Sequence, residues 1–311
     1  MLKLILLGIV SGAFFSSTFV INELMRVQGG HWIWSASLRY MFMIVFLSVI
    51  VLVTGGFRQM AGVFRLFIEY WRFWIVAGGV GFGAFYALVC FAADFSPGWV
   101  IAATWQFTIV ASLFVLLLFG RSFPKRVWFF SSIIFAGVVM VNLAEADGFD
   151  FHKLLMGGIP VLAASFCYPL GNQLVWEASN GRGGRLPKIA SPILDNPFNK
   201  VLLMSLGSLP LWGMLVLIAH PSLPSSSQVM NTALVAVFSG LVATTLFLFA
   251  RNSALSSSEL AGVDATQSSE VVFALLGGMV FLRTPLPGPM PIVGIVLILV
   301  GLLLFVRYQK L

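Results

Sequence analysis

Three polar residues recur at three-residue intervals within one apolar stretch near the end of the chain: Asp264, Gln267 and Glu270. On a helix this spacing places them within an arc of about 120°, on a single face. A carboxylate among apolar side chains is costly unless it is protonated, paired or hydrated, so this face must turn away from lipid. We therefore predict that Glu270, and secondarily Asp264, carries a proton or binds a cation at a central cavity.

Two arginines within apolar stretches could instead give these acids a structural role. Arg39 and Arg251 also fall inside apolar stretches, where any ionisable side chain is a candidate functional group. Either acid could instead form a permanent ion pair with one of these arginines and hold two helices together. The sequence leaves both alternatives open.

Further polar and aromatic side chains are candidates for the cavity wall. Asn22 and Glu23 end the first apolar stretch, and Asn172 and Gln173 occupy the matching place in a later one. Helix capping or interfacial hydration explains these four equally well. Aromatic rings can bind a cationic or aromatic ligand by stacking or cation–π contact, although ordinary packing is the alternative for each. The remaining candidates are Tyr40, Tyr86, Trp105, Gln106 and Tyr168.

The composition indicates that membrane helices position these residues. Of 311 residues, 59% are hydrophobic and only 9% are charged, which is more apolar surface than a soluble core can bury. A crossing helix needs roughly 20 apolar residues. Ten such segments are visible: 4–25, 32–54, 71–93, 98–119, 127–144, 154–176, 201–220, 229–250, 260–282 and 290–308. The predicted fold is an all-α polytopic membrane protein with ten transmembrane helices.

The basic residues indicate how these helices are oriented. We attribute the net charge of +7 to loops that set topology, and not to a nucleic-acid partner. Most Lys and Arg residues fall on the side of the N-terminus, and only Arg26, Lys153 and Arg283 fall on the other side. The first segment follows Lys3 without a convincing cleavage site, so we expect a retained helix. The prediction is a multi-pass inner-membrane protein with cytoplasmic N- and C-termini.

The two halves of the chain are similar to each other. A shift of 150 residues aligns Asn22 with Asn172, and a shift of 162 aligns Gly78 with Gly240. One insertion in the longest loop, 177–200, explains the change of shift. An odd number of spans in each half places equivalent residues on opposite sides of the membrane, as in the inverted repeats of secondary transporters.

The expected repeats are residues 1–146 and 152–311, with five spans in each. The face of the first half that is equivalent to the acidic face contains Ala102, Trp105 and Thr108. Buried acids are therefore expected in one half only, an asymmetry that suits a binding site.

One glycine-rich run in the third span predicts a packing contact. Residues 79–84 match the dinucleotide-binding fingerprint formally, but no strand precedes them. Gly79 and Gly83 instead form a face of small residues that permits close approach of another helix.

Several motifs resemble a known family. Residues 270–278, EVVFALLGG, run to Phe281 and Leu282 in the ninth span, and with the five-plus-five repeat they resemble the drug/metabolite transporter (DMT) superfamily, EamA-like. Residues 14–20, FFSSTFV, the turn GGHW and the stretch DATQ are similar to its multidrug resistance efflux transporter branch. The resemblance covers the whole chain. Members of the superfamily handle amino acids, nucleotide precursors, sugars or organic cations.

The resemblance implies a secondary-active transporter that exports small solutes or drugs by alternating access, with protons as the candidate coupling ion. A facilitative exchanger or uptake carrier is the nearest alternative. An intramembrane enzyme is a remote one, because no HExxH, Gly-x-Gly-Asp or Ser/His pattern is visible. We expect no cofactor, metal or nucleic acid, and as partners a small-molecule substrate, the lipid bilayer and protons. One chain is enough to enclose a site, and a dimer stays open.

Overall fold

The computed structural model describes residues 2–123, 125–145, 152, 154–181, 184, 186–255 and 257–308, and all regular structure in these ranges is helical. Nine of the helices described are long and apolar enough to cross a membrane. They are α1 (Leu2–Val27), α2 (Trp32–Glu69), α3 (Trp71–Ala92), α4 (Gly98–Leu118), α5 (Lys125–Glu145), α6 (Leu154–Asn180), α7 (Pro197–Ala219), α8 (Ser226–Arg251) and α11 (Pro289–Tyr308). The prediction of an all-α polytopic membrane protein is confirmed.

The predicted ninth span, 260–282, is divided into two shorter helices. These are α9 (Ser257–Ala265) and α10 (Ser269–Phe281), and a 3-10 turn at Thr266–Ser268 separates them. The hydroxyls of Thr266 and Ser268 donate to backbone carbonyls three residues earlier, at 2.6 and 2.7 Å. Such bonds compete with the regular helix ladder, which explains the break. A count of ten crossings therefore stays a prediction.

The two halves are interrupted at corresponding places. A turn at 106–107 breaks α4, and a shift of 162 residues carries it to 268–269, beside the 3-10 turn. A π-helical segment lies in the third span, at Gly79–Ala84, and another lies in α8, at Ala236–Ala243. The shift of 162 carries the first to 241–246, so the two segments overlap only in part. The matching break in α4 agrees with the predicted inverted repeat.

The first helix of each predicted half packs against helices of the other half. The first helix of the chain, α1, packs against α8 and α10, and its counterpart α6 packs against α3 and α4. One polar contact in this interface is the hydroxyl of Ser11, which donates to the backbone carbonyl of Ala243 at 2.8 Å. The helices α2 and α7 also pack together, as do α5 and α11. The centre of the molecule is therefore enclosed by helices from both halves.

Two predicted features lie outside the described residues. One is Lys153, which we assigned to the side opposite the N-terminus. The other is most of the boundary between the repeats at 146–152.

The second helix continues beyond the predicted end of its span at 54. It has 38 residues and would be about 57 Å long if straight, whereas the apolar core of a bilayer is about 30 Å thick. The helix bends at Gly56, where φ is 66° and ψ is −176°. Glycine tolerates this left-handed backbone because it has no Cβ. The segment after Gly56 therefore leaves the direction of the crossing helix.

Glycines set the closest approach between α3 and α7. A Cβ on Gly78 would lie 3.0 Å from the Gly207 Cα, and a Cβ on Gly81 would lie 2.8 Å from the Gly171 Cα of α6. The predicted pair was Gly79 and Gly83, but a Cβ on Gly79 would meet nothing within 4 Å. The helix-contact prediction was therefore right about the segment and wrong about Gly79, because the π-helical turn changes which residues face α6 and α7.

Candidate functional site

A cavity of about 190 Å³ lies in the centre of the molecule, where helices of both halves meet. Most of the side chains that line it are polar or aromatic. Seven of the predicted site residues line it: Arg39, Tyr40, Trp105, Gln106, Tyr168, Gln267 and Glu270. The structure therefore brings together residues that are distant in the chain.

The acid of this cavity is Glu270, in the first turn of α10. Only 6% of its surface is exposed. Its carboxyl group has no hydrogen bond and no ion pair with any residue that the structure describes. A buried carboxylate without a partner is unstable, so it needs a proton or a cationic ligand to neutralise it.

The cation of the cavity is Arg39, in the second turn of α2. Its Nη2 atom donates to the Ser239 hydroxyl at 3.1 Å, and its guanidinium carbon lies 4.1 Å from the centroid of the Tyr86 ring. Among the described residues it has no carboxylate partner, and its Nε has no hydrogen-bond acceptor. The predicted alternative of an ion pair between Glu270 and Arg39 is not present, and both groups can act on a ligand.

The Tyr86 ring that contacts this guanidinium is held in place by a hydrogen bond from Asn22, outside the cavity. The buried Asn22 side chain donates to the Tyr86 hydroxyl at 3.2 Å and reaches the Cys90 Sγ at 3.5 Å. Tyr40 stacks on Trp212, with ring centroids 5.6 Å apart. Asn22 and Tyr86 therefore position the residues that line the cavity but do not line it themselves. Tyr40 does line it.

One wall of the cavity is aromatic. The Phe85 ring lies 4.8 Å from the Trp105 ring and 5.1 Å from the Tyr168 ring, between centroids. Trp105 and Tyr168 meet edge to face at 5.7 Å. Gln106 and Gln267 add amide groups to the same lining. This wall can stack on a flat ring or face a cation, since aromatic faces attract positive charge.

Four predicted residues are placed away from the cavity. Arg251 Nε lies 2.8 Å from Asp264 Oδ1, and the pair is partly exposed. For Asp264 this geometry favours the alternative of a structural ion pair. Asn172 is exposed and donates to the Tyr168 carbonyl one turn earlier, while Gln173 donates to Glu177 at 2.8 Å.

Glu23 caps a helix. Its Oε2 atom accepts from the backbone N–H of Gly98 at 2.7 Å, and only 4% of the residue is exposed. Gly98 is the first residue of α4, where backbone N–H groups have no partner within the helix. The carboxylate supplies that partner and also favours the positive end of the helix dipole. The capping alternative for Glu23 therefore fits the structure.

Removing this cap is expected to destabilise the protein. Glu23→Ala should lower the free energy of unfolding by about 2 kcal/mol, because a buried N–H loses a charged acceptor. Glu23→Gln should lose less than half as much, since its amide oxygen can still accept. Thermal melting of the purified protein in detergent measures both changes. An unchanged melting temperature in Glu23→Ala would contradict the capping role.

Several lining residues escaped the sequence interpretation, among them Thr18, Val201 and Thr244. The predicted internal repeat offers a signal that could have found them, because several lining residues fall at positions that its two shifts align. The lining pairs at shifts of 150 and 162 residues are Thr18 with Tyr168, Arg39 with Val201, Phe82 with Thr244, Trp105 with Gln267, and Thr108 with Glu270.

Within the described residues, no group of His, Cys, Asp and Glu side chains could hold a metal ion. The side chains that line the cavity are those of a ligand-binding site inside a bundle of membrane helices. This arrangement is typical of membrane transporters.

Comparison with known protein families also indicates a membrane transporter. The chain belongs to the family described as "EmrE: Putative multidrug resistance efflux transporter", whose model matches residues 2–311. The protein is therefore a membrane transporter of small solutes, and the predicted family resemblance is confirmed.

Two relatives are similar over most of their length. The chain is 38% identical over 321 residues to "Uncharacterized protein YjlA" of Bacillus subtilis (strain 168), covering 97% of this chain and 94% of the relative. It is 38% identical over 261 residues to "Uncharacterized 42.1 kDa protein in intracellular alkaline protease 3'region" of Shouchella clausii, covering 80% and 65%. A solved structure described as "Crystal structure of protein" matches 97% of this chain with a TM-score of 0.58 and 14% identity, which shows the fold alone.

Proposed function

We propose that the protein is a proton-coupled exporter of small organic solutes that are aromatic or cationic. The observation that carries this proposal is the unpaired Glu270 carboxyl in a cavity enclosed by both halves. Because one carboxylate cannot be neutralised by a proton and by a cationic substrate at once, the two ligands compete for it. Such competition couples the outward movement of substrate to the inward movement of protons.

Alternating access follows from the inverted repeat. The halves 1–146 and 152–311 contribute equivalent residues to the same cavity, such as Trp105 and Gln267. Two related halves can exchange conformations, which opens one central site to either side in turn. The breaks in α4 and between α9 and α10 are suited to this, since interrupted helices form the sites of many transporters.

The proposal includes the topology in the cell. We place both termini in the cytoplasm and the protein in the inner membrane, because the predicted loops on the N-terminal side contain most of the basic residues. A single chain encloses the cavity, so one copy is enough for transport.

Arg39 favours a second candidate, a facilitative exchanger or uptake carrier. A guanidinium without a carboxylate partner in the described structure can bind an anionic group of a metabolite. In that case the charge on Arg39 binds the substrate, and no proton movement is required.

One experiment separates the two candidates. Purified protein is first screened by thermal melting for stabilisation by tetraphenylphosphonium, ethidium and aromatic amino acids. The stabilising compound is then followed in proteoliposomes with and without a pH gradient. We expect accumulation against a concentration gradient that a protonophore abolishes. Equal flux with and without the pH gradient would reject proton coupling and favour the facilitative carrier.

A further inference from the structure

The segment of α2 after Gly56 has two different faces. Its buried face, formed by Met60, Val63 and Leu66, packs against the rest of the protein. The opposite stripe contains Phe57 and Ile68, which are 85% and 69% exposed.

This exposed stripe also includes Phe64. Phe57, Phe64 and Ile68 are spaced by seven and four residues, so they lie within an arc of about 40° on the helix. Large apolar side chains of this kind are not left in water when a bilayer is adjacent. An amphipathic helix of this kind lies along a membrane surface with its apolar stripe in the acyl region.

A row of arginines runs beside the apolar stripe. Arg58 and Arg65 are seven residues apart on α2, Arg72 follows in the first turn of α3, and all three are exposed. None of them forms an ion pair with a residue in the described ranges. On the helix, Arg58 and Arg65 lie about 100° from the apolar stripe. This is the position of a headgroup when the stripe is in the lipid.

Arg58 and Arg65 line a groove of about 840 Å³ between this helix and residues 191–199, the segment that leads into the first turn of α7. Its polar lining includes the amides of Asn196 and Asn199, and one acid, the exposed Asp195. The groove therefore has more positive than negative charge, and its two guanidinium groups can donate hydrogen bonds to a phosphate group. The Asn199 amide is buried and already bonded to Gln59 and Ile193.

We propose that the α2 segment 57–69, together with Arg72, forms a binding site for anionic phospholipids. The phosphodiester and headgroup charge bind Arg58 and Arg65, and the acyl chains lie against Phe57, Phe64 and Ile68. Two independent features support a lipid as the occupant: the charge is complementary to an anionic headgroup, and an apolar stripe for the chains lies directly beside it. This site is separate from the central cavity.

The test uses purified full-length protein in detergent, with dioleoylphosphatidylglycerol or dioleoylphosphatidylcholine added. We expect the anionic lipid to raise the melting temperature by about 4 °C more than the zwitterionic lipid. The variant Arg58→Gln/Arg65→Gln/Arg72→Gln should lose more than half of this difference. The control Lys3→Gln/Lys125→Gln/Arg307→Gln removes the same charge elsewhere on the same predicted side and should keep it.

Two further arms make the outcome unambiguous. Replacement of the three arginines by lysine should retain most of the difference, because the positive charge remains. Glycerol 3-phosphate, which has the phosphate without acyl chains, should give no shift. The proposal is overturned if the two lipids stabilise equally, if the control variant loses the difference as well, or if glycerol 3-phosphate reproduces the full shift.

Discussion

Replacing Glu270 by glutamine is expected to abolish transport that is driven by a pH gradient. The amide has nearly the same shape and fits the same cavity, but it cannot release or accept a proton. Under the proposed mechanism, concentrative uptake into inverted proteoliposomes should fall by about 100-fold, as expected when a proton-transferring group is removed. Counterflow exchange of labelled against unlabelled substrate needs no net proton movement. It should persist for an uncharged aromatic substrate and weaken for a cationic one, which loses its carboxylate partner.

Folding should not account for this loss. Glu270 is buried without a partner in the described structure, so a neutral amide costs less to bury than a carboxylate and its introduction breaks no existing hydrogen bond. The melting temperature of Glu270→Gln should equal or exceed that of the unmodified protein. The matched control is Glu177→Gln, because Glu177 is equally buried but lies away from the cavity, bonded to Gln173. Full pH-driven transport by Glu270→Gln would reject the proposed role.

A comparison of two neighbouring glycines is expected to give the largest effect on stability. Gly78→Val should lower the free energy of unfolding by about 3 kcal/mol or more, since its side chain would meet the backbone of Met204 and Gly207 in α7. Backbone atoms cannot rotate away as a flexible side chain can. Gly79→Val adds the same atoms one residue later, where a Cβ meets nothing within 4 Å.

Thermal melting and size-exclusion chromatography in detergent measure this difference. Gly79→Val should behave like the unmodified protein within about 1 kcal/mol, whereas Gly78→Val should melt early or aggregate. Equal behaviour of the two variants would mean that α3 and α7 do not approach as closely as the structure indicates.

The sequence predicted the spans well because hydrophobic segments in a membrane protein must match the bilayer. It also predicted Glu270 as a cavity residue, since an acid in an apolar span has few tolerable positions. It could not assign Asp264, because the choice between the cavity and an ion pair depends on whether Arg251 lies within reach. The distance between Arg251 and Asp264 depends on how α8 and α9 are placed relative to each other in the fold.

Other features needed the structure for similar reasons. The role of Glu23 depends on the backbone of Gly98, which is 75 residues away. Asn172 was predicted from its alignment with Asn22, yet Asn172 is exposed and Asn22 is buried, so aligned positions need not have the same surroundings. The contact at Gly78 in place of Gly79 follows from a π-helical turn, which ordinary helical periodicity does not predict.

The exchange of helices between the halves has a consequence for how the chain is made. A ribosome completes α1 long before it reaches Ala243, the residue 232 positions later whose carbonyl binds Ser11. Until then α1 lacks its neighbours α8 and α10, and its small polar residues are expected to face lipid or a membrane chaperone. A chain truncated after residue 146 would therefore lack the contacts of α1 with α8 and α10, and we expect it to be degraded in the cell.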